Sequence, residues 1–150
     1  MSDQPVAIVT GGASGIGLGI ATMLITDGYD VFVLDNDLLH VDDYNASHPL
    51  SRARVCDVSD ASAVATEIDG VLHVAGRIDL LVNNAGISGP TAPVEVVDPS
   101  EWQRSLDVSL TGAFNVTRSV APVMKAQSSG VIINIASNAG LMGCPNRSPY

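Results

Sequence analysis

A chain of 150 residues is one domain's worth of polypeptide, and with hydrophobic residues at 46% it can fill a core, which argues against multidomain and disordered readings. Seven Lys and Arg against sixteen Asp and Glu leave a net charge of −9, the wrong sign for a nucleic-acid backbone or an anionic membrane surface. No apolar run reaches the roughly 18–20 residues of a transmembrane helix. Met1-Ser2-Asp3-Gln4-Pro5 has no leader pattern, and Cys56 and Cys144 share no metal or redox spacing, so a cytoplasmic protein without a metal is expected.

Val6-Ala7-Ile8-Val9 reads as a buried strand broken at Gly11-Gly12, followed by a helix with Ile16, Ile20, Ala21 and Leu24 on one face and Gly28 as its stop. Val31-Phe32-Val33-Leu34 is a second strand ending at Asp35. Residues 36–52 are polar, with Pro49, and read as a short helix or irregular segment. Arg54-Val55-Cys56 is a weaker third strand. Asp60 can cap a helix whose apolar face is Val64, Ile68, Val71, Leu72 and Ala75, although Gly70 costs it about 1 kcal/mol relative to Ala.

Leu80-Leu81-Val82 is a fourth strand running into Asn83-Asn84-Ala85-Gly86, and residues 87–97 read as a loop. Asp98-Pro99-Ser100-Glu101 starts a helix with a cap, an N1 proline and an acid in the first turn. Trp102, Leu106, Leu110, Ala113 and Phe114 are expected to form its buried stripe, and Pro122 to kink or end it. Val131–Ile135 is a fifth strand, and 137–150 a loop rich in Gly, Asn and Pro. Strands alternating with helices predict an α/β fold: a Rossmann-type doubly wound parallel sheet with helices on both faces, strand order 3-2-1-4-5.

Ligands of such sheets bind beyond the carboxyl ends of the strands. There the first strand meets its helix through Thr10-Gly11-Gly12-Ala13-Ser14-Gly15-Ile16-Gly17, where glycines let the backbone approach a pyrophosphate and the helix N-terminus offers free N–H groups. Asp35, at the end of the second strand, can accept both hydroxyls of an adenosine ribose. Its charge would repel a 2′-phosphate, and neither Asn36, Asp37 nor Ser14 offsets that, so NAD is favoured over NADP. The plainer alternative is that Asp35 caps the next turn.

These residues resemble the short-chain dehydrogenase/reductase family in its compact branch. The resemblance is carried in register along the chain by Thr10-Gly11-xxx-Gly15-Ile16-Gly17, Asp57-Val58, Asn83-Asn84-Ala85-Gly86, Ser137 and Tyr150. It implies that Gly11, Gly15, Ile16 and Gly17 lie against the pyrophosphate, with Ser14 in the same loop. Asp57 would meet the adenine through its carboxylate and Val58 through its backbone, while Asn84, Ala85 and Gly86 run beside the nicotinamide-side ribose and Asn83 holds the central sheet. For Asp57 the alternative is a helix N-cap.

Ser137 and Tyr150 match the family's catalytic pair, with Ser137 orienting the substrate oxygen and Tyr150 as general acid or base. Ser109 stands where the family usually has an Asn that helps hold a water in the proton path. The family's Lys, four residues after the Tyr, falls at position 154, beyond this sequence. The resemblance therefore implies the N-terminal part of a longer NAD-dependent oxidoreductase acting on a small alcohol or ketone, with residues 1–150 an incomplete NAD-binding domain and the full protein a homo-oligomer. The remaining readings are a non-catalytic NAD(H)-binding module and a truncated chain that only self-associates.

Overall fold

The computed structural model describes residues 4–49 and 51–150, so Met1-Ser2-Asp3 and Leu50 of the 36–52 segment lie outside the described residues. Five parallel strands form one sheet: β1 (Val6–Thr10), β2 (Asp30–Asp35), β3 (Arg52–Val55), β4 (Leu80–Asn83) and β5 (Val131–Asn134), in the order β3-β2-β1-β4-β5. Among the described residues five α-helices, α1 (Gly15–Thr26), α2 (Leu38–Ser47), α3 (Ala61–Ala75), α4 (Pro99–Leu106) and α5 (Gly112–Gln127), connect or flank them.

The period of two along each strand sorts side chains between two cores. Ile8, Phe32, Leu34 and Leu81 face α3 and α5, meeting Val64, Ile68, Val116 and Val120. Ala7, Val9, Val31, Val33 and Val82 face α1 and α2, meeting Ala21, Leu24, Val41 and Tyr44. Both faces of the central strands are thus covered, which is why those strands read as unbroken apolar runs. The chain leaves β1 toward one face and β4 toward the other. Between these neighbours the carboxyl edge must split, and a crevice opens there.

Helix starts follow the sequence closely. Asp37 accepts the N–H groups of Leu39 and His40, Asp60 those of Ser62 and Ala63, and Asp98 that of Ser100. The segment after β2 resolves as α2, and β3 begins two residues earlier than expected, at Arg52.

Two expectations are corrected. Ile16 does not join the buried face of α1: it is 71% exposed, and Gly17, Ala21 and Leu24 are the buried residues. The stripe of Trp102, Leu110 and Phe114 turns outward, Phe114 being 59% exposed. Ser105, Val108, Gly112, Asn115, Val116, Val120 and Met124 face inward instead. A π-helical turn, Asp107–Thr111, joins α4 to α5 and breaks the 3.6-residue phase that the apolar stripe assumed. Of the two outcomes expected at Pro122, a kink or an end, the end does not occur: α5 runs through it to Gln127.

Candidate cofactor and catalytic crevice

The carboxyl edge of the sheet holds a crevice of ≈ 1040 Å³, and every site residue expected from the sequence lies on its wall. Gly11, Ser14, Gly15, Ile16 and Gly17 form the wall after β1, and Asp35 that after β2. Asp57 and Val58 follow β3, Asn84, Ala85 and Gly86 follow β4, Ser109 comes from the π turn, and Ser137 and Tyr150 follow β5.

The glycine loop is shaped by two kinds of constraint. Gly11 and Gly15 have φ of +60° and +53°, a region that costs any other residue strain. At Gly15 an added Cβ would meet no protein atom within 4 Å, so the backbone there is bare. Gly17 is the opposite case: a Cβ would overlap the Gly11 carbonyl and press on Asn84 Nδ2 at 2.5 Å. Gly17→Ala is therefore expected to destabilise the fold by about 1–3 kcal/mol through overpacking and to weaken nucleotide binding beyond that. A thermal melt and an NADH titration check both effects, and a variant matching wild type in both would remove the packing role of Gly17.

Asp35 is buried, and its carboxylate accepts the Ala13 N–H at 3.0 Å through Oδ2 and the Asp37 N–H at 3.2 Å through Oδ1. It therefore ties the glycine loop to the end of β2 and also makes the local turn. Each oxygen can accept a further donor from the crevice.

Thr10, the first residue of the glycine-loop motif, is a hub. Its Oγ1 accepts the N–H groups of Asn84 and Ala85, each at 3.0 Å. In return Asn84 Nδ2 donates to the Thr10 and Gly11 carbonyls at 3.0 Å. The ends of β1 and β4 are thus bracketed together across the floor of the crevice. Asn83 Nδ2 donates to Thr117 Oγ1 at 3.0 Å and Asn134 Oδ1 at 2.8 Å, joining β4 to β5 and α5.

Asp57 does not cap α3, since Asp60 does. Its Oδ1 instead accepts the Ser59 N–H and hydroxyl at 2.9 and 2.6 Å, and its Oδ2 accepts from Arg104 at 3.2 Å. The Ser59 hydroxyl, helped by Arg104, holds the Asp57 carboxyl below the usual carboxylate range. Buried Asn115 donates to the Val58 carbonyl at 3.0 Å and pins the same loop from α5. Nearby, burial and the Glu67 charge push the Cys56 thiol up to about 11, so it stays protonated at neutral pH.

Ser109 Oγ accepts the Ile87 N–H at 3.2 Å and holds the segment after Gly86. Ser137 Oγ accepts the Ala139 N–H at 3.2 Å as the cap of the 3₁₀ turn Asn138–Gly140. Tyr150 is 50% exposed, with the Arg147 guanidinium 5.7 Å from its ring centre. Ala92 donates to the Asn146 carbonyl at 2.9 Å and Arg147 to that of Ser88 at 3.2 Å, stitching the segment before Tyr150 to the loop after β4.

The N-terminus of α1 differs from those of α2, α3 and α4: Ser14 makes no side-chain cap bond, so the first-turn N–H groups keep their capacity for an anion from the crevice. Among the described residues no Lys or Arg lines the crevice, so backbone donors and the helix dipole would carry that task. Among the described residues no three His, Cys, Asp or Glu side chains converge to hold a metal ion, and no helix is long and apolar enough to cross a membrane.

The family model described as short chain dehydrogenase matches residues 5–150. A 2-dehydro-3-deoxy-L-rhamnonate dehydrogenase (NAD(+)) of Sphingomonas sp. strain SKA58 is 39% identical over 148 residues, 96% of this chain and 58% of that protein. Among solved structures, NAD+-bound xylitol dehydrogenase superposes with a TM-score of 0.93 at 37% identity, covering 97% of this chain and 58% of its own. An actinorhodin polyketide ketoreductase variant with NADPH gives 0.95 at 33%, covering 99% and 59%. The chain thus spans less than two thirds of the length of each of these relatives.

Proposed function

The chain belongs to the short-chain dehydrogenase/reductase family, and from that footing we propose that it is the nucleotide-binding part of an NAD(H)-dependent oxidoreductase interconverting a secondary alcohol and a ketone. The observation that carries the reading is the uncapped N-terminus of α1, opening into the crevice that Asp35, Ser137 and Tyr150 also line. An elongated anion with a ribose at one end and a redox ring at the other fits that order of groups.

In this reading the first-turn N–H groups of α1 bind the pyrophosphate, and bare Gly15 lets it come close. Asp35 takes the two adenosine ribose hydroxyls. The base then lies toward β3, where Asp57 and Val58 receive it, and the other ribose runs past Asn84, Ala85 and Gly86 toward β5. Bound there, the nicotinamide supplies a hydride acceptor or donor. Ser137 orients the substrate oxygen and Tyr150 moves its proton, while Ser109 fixes the loop beside them.

NAD is preferred over NADP because, among the described residues, no Lys or Arg stands on the wall to offset Asp35 beside a 2′-phosphate. The outward stripe of Trp102, Leu110 and Phe114 supports a homo-oligomer that covers it. Free Cys56 and Cys144 suit the reducing cytoplasm.

The test is a panel of secondary alcohols, including polyols and sugar acids, offered to the enzyme with NAD+ or NADP+, reading reduced nicotinamide. Turnover with NAD+ and at least about a hundredfold less efficiency with NADP+ is expected. NADH binding with no turnover across the panel would instead favour a non-catalytic NAD(H)-binding module.

A further inference from the structure

We propose that Arg104 is a positioning residue for adenine recognition, holding Asp57 so that one carboxylate oxygen keeps an open acceptor position toward the crevice. The proposal rests on the reading above that the base lies at the end of β3. Arg104 stands in the second turn of α4, on an element that contributes none of the strand-end motifs. Its guanidinium nevertheless reaches the loop after β3 with two donors: one nitrogen to Ser59 Oγ at 3.1 Å and the other to Asp57 Oδ2 at 3.2 Å. The Ser59 hydroxyl donates onward to Asp57 Oδ1 at 2.6 Å, so the guanidinium, hydroxyl and carboxylate close a ring.

The ring distributes the acceptor positions unevenly. Oδ1 takes both the N–H and the hydroxyl of Ser59, while Oδ2 takes Arg104 alone and keeps a lone pair. Asp57 lies on the crevice wall and Arg104 does not. The guanidinium thus stands outside the crevice lining, where it can fix the plane of the carboxylate without taking the ligand's place. An exchangeable donor on a purine, its exocyclic amine, is the partner such an oxygen selects. An ion pair as exposed as this one adds little to stability, so its effect should lie in orientation and appear in ligand discrimination rather than in melting.

The experiment titrates the enzyme with NADH and with reduced nicotinamide hypoxanthine dinucleotide, in which an oxygen replaces the amine. Wild type is expected to bind NADH about tenfold more tightly, the loss of one charge-assisted hydrogen bond. Arg104→Met and Asp57→Ala should each reduce that ratio to about threefold or less, and Arg104→Lys, which restores the charge but not the fork, should fall between Arg104→Met and wild type. Both ligands meet the same preparation, so a partly unfolded variant leaves the ratio intact. If Asp57→Ala loses discrimination while Arg104→Met keeps the wild-type ratio, the positioning role is overturned and the adenine site stands. If wild type binds the two equally, the adenine reading at Asp57 falls, and this proposal with it.

Discussion

A Tyr150→Phe enzyme is expected to lose between about 10²- and 10⁴-fold in kcat, while its affinity for NADH changes by less than about threefold. Oxidation of an alcohol removes a hydride from carbon and a proton from oxygen, and the second event needs an acceptor on the crevice wall. Tyr150 is half exposed there, and Ser137 lines the same crevice. Phe keeps the ring and its contact with the Arg147 guanidinium, so the segment stitched to the loop after β4 should stay in place. Only the ionisable oxygen is lost. Steady-state rates and an NADH titration on one preparation separate the two effects, and a kcat within about threefold of wild type would take Tyr150 out of the proton path.

Asp35→Asn should have the second largest effect, on cofactor choice. The wild-type enzyme is expected to prefer NADH over NADPH by at least about a hundredfold, and the variant by less than about tenfold. A unit charge about 4 Å from another is worth roughly 4 kcal/mol at an effective dielectric of 20. A 2′-phosphate beside the Asp35 carboxylate therefore meets repulsion large enough to account for that preference even after solvent screening. Asn removes the charge yet keeps a carbonyl oxygen for the Ala13 or Asp37 N–H, so the glycine loop need not collapse. Fluorescence titrations with both nucleotides give the ratio directly. An unchanged ratio would mean that the charge of Asp35 does not set the choice.

Much of this architecture is written in short-range patterns. Buried strands are continuous apolar runs, and Asp60 and Asp98 announce helix starts because a carboxylate two or three residues before an N–H has an obvious partner. The glycine loop and Asp35 could be placed at strand ends without knowing any contact, because the parallel topology puts those ends on one edge.

What the sequence hid is long-range or polar. Hydropathy marks Trp102, Leu110 and Phe114 as core, yet the buried face of that helix includes Ser105, Gly112 and Asn115. Gly112 is there because a Cβ would meet Val58 Cγ2 at 2.5 Å, and Asn115 because its amide reaches the Val58 carbonyl. Neither reason has a local signal, and the π turn that shifts the face has none either. Thr10 and Arg104 were missed for the same cause: their partners, Asn84 and Asp57, lie 74 and 47 residues away.

The most direct measurement is a crystal structure of the enzyme with NAD+. The account predicts adenosine ribose hydroxyls on the Asp35 carboxylate, the pyrophosphate on the N-terminus of α1, and the nicotinamide at the end of the crevice bordered by Ser137 and Tyr150. A dinucleotide bound in the reverse direction, or outside this crevice, would contradict it.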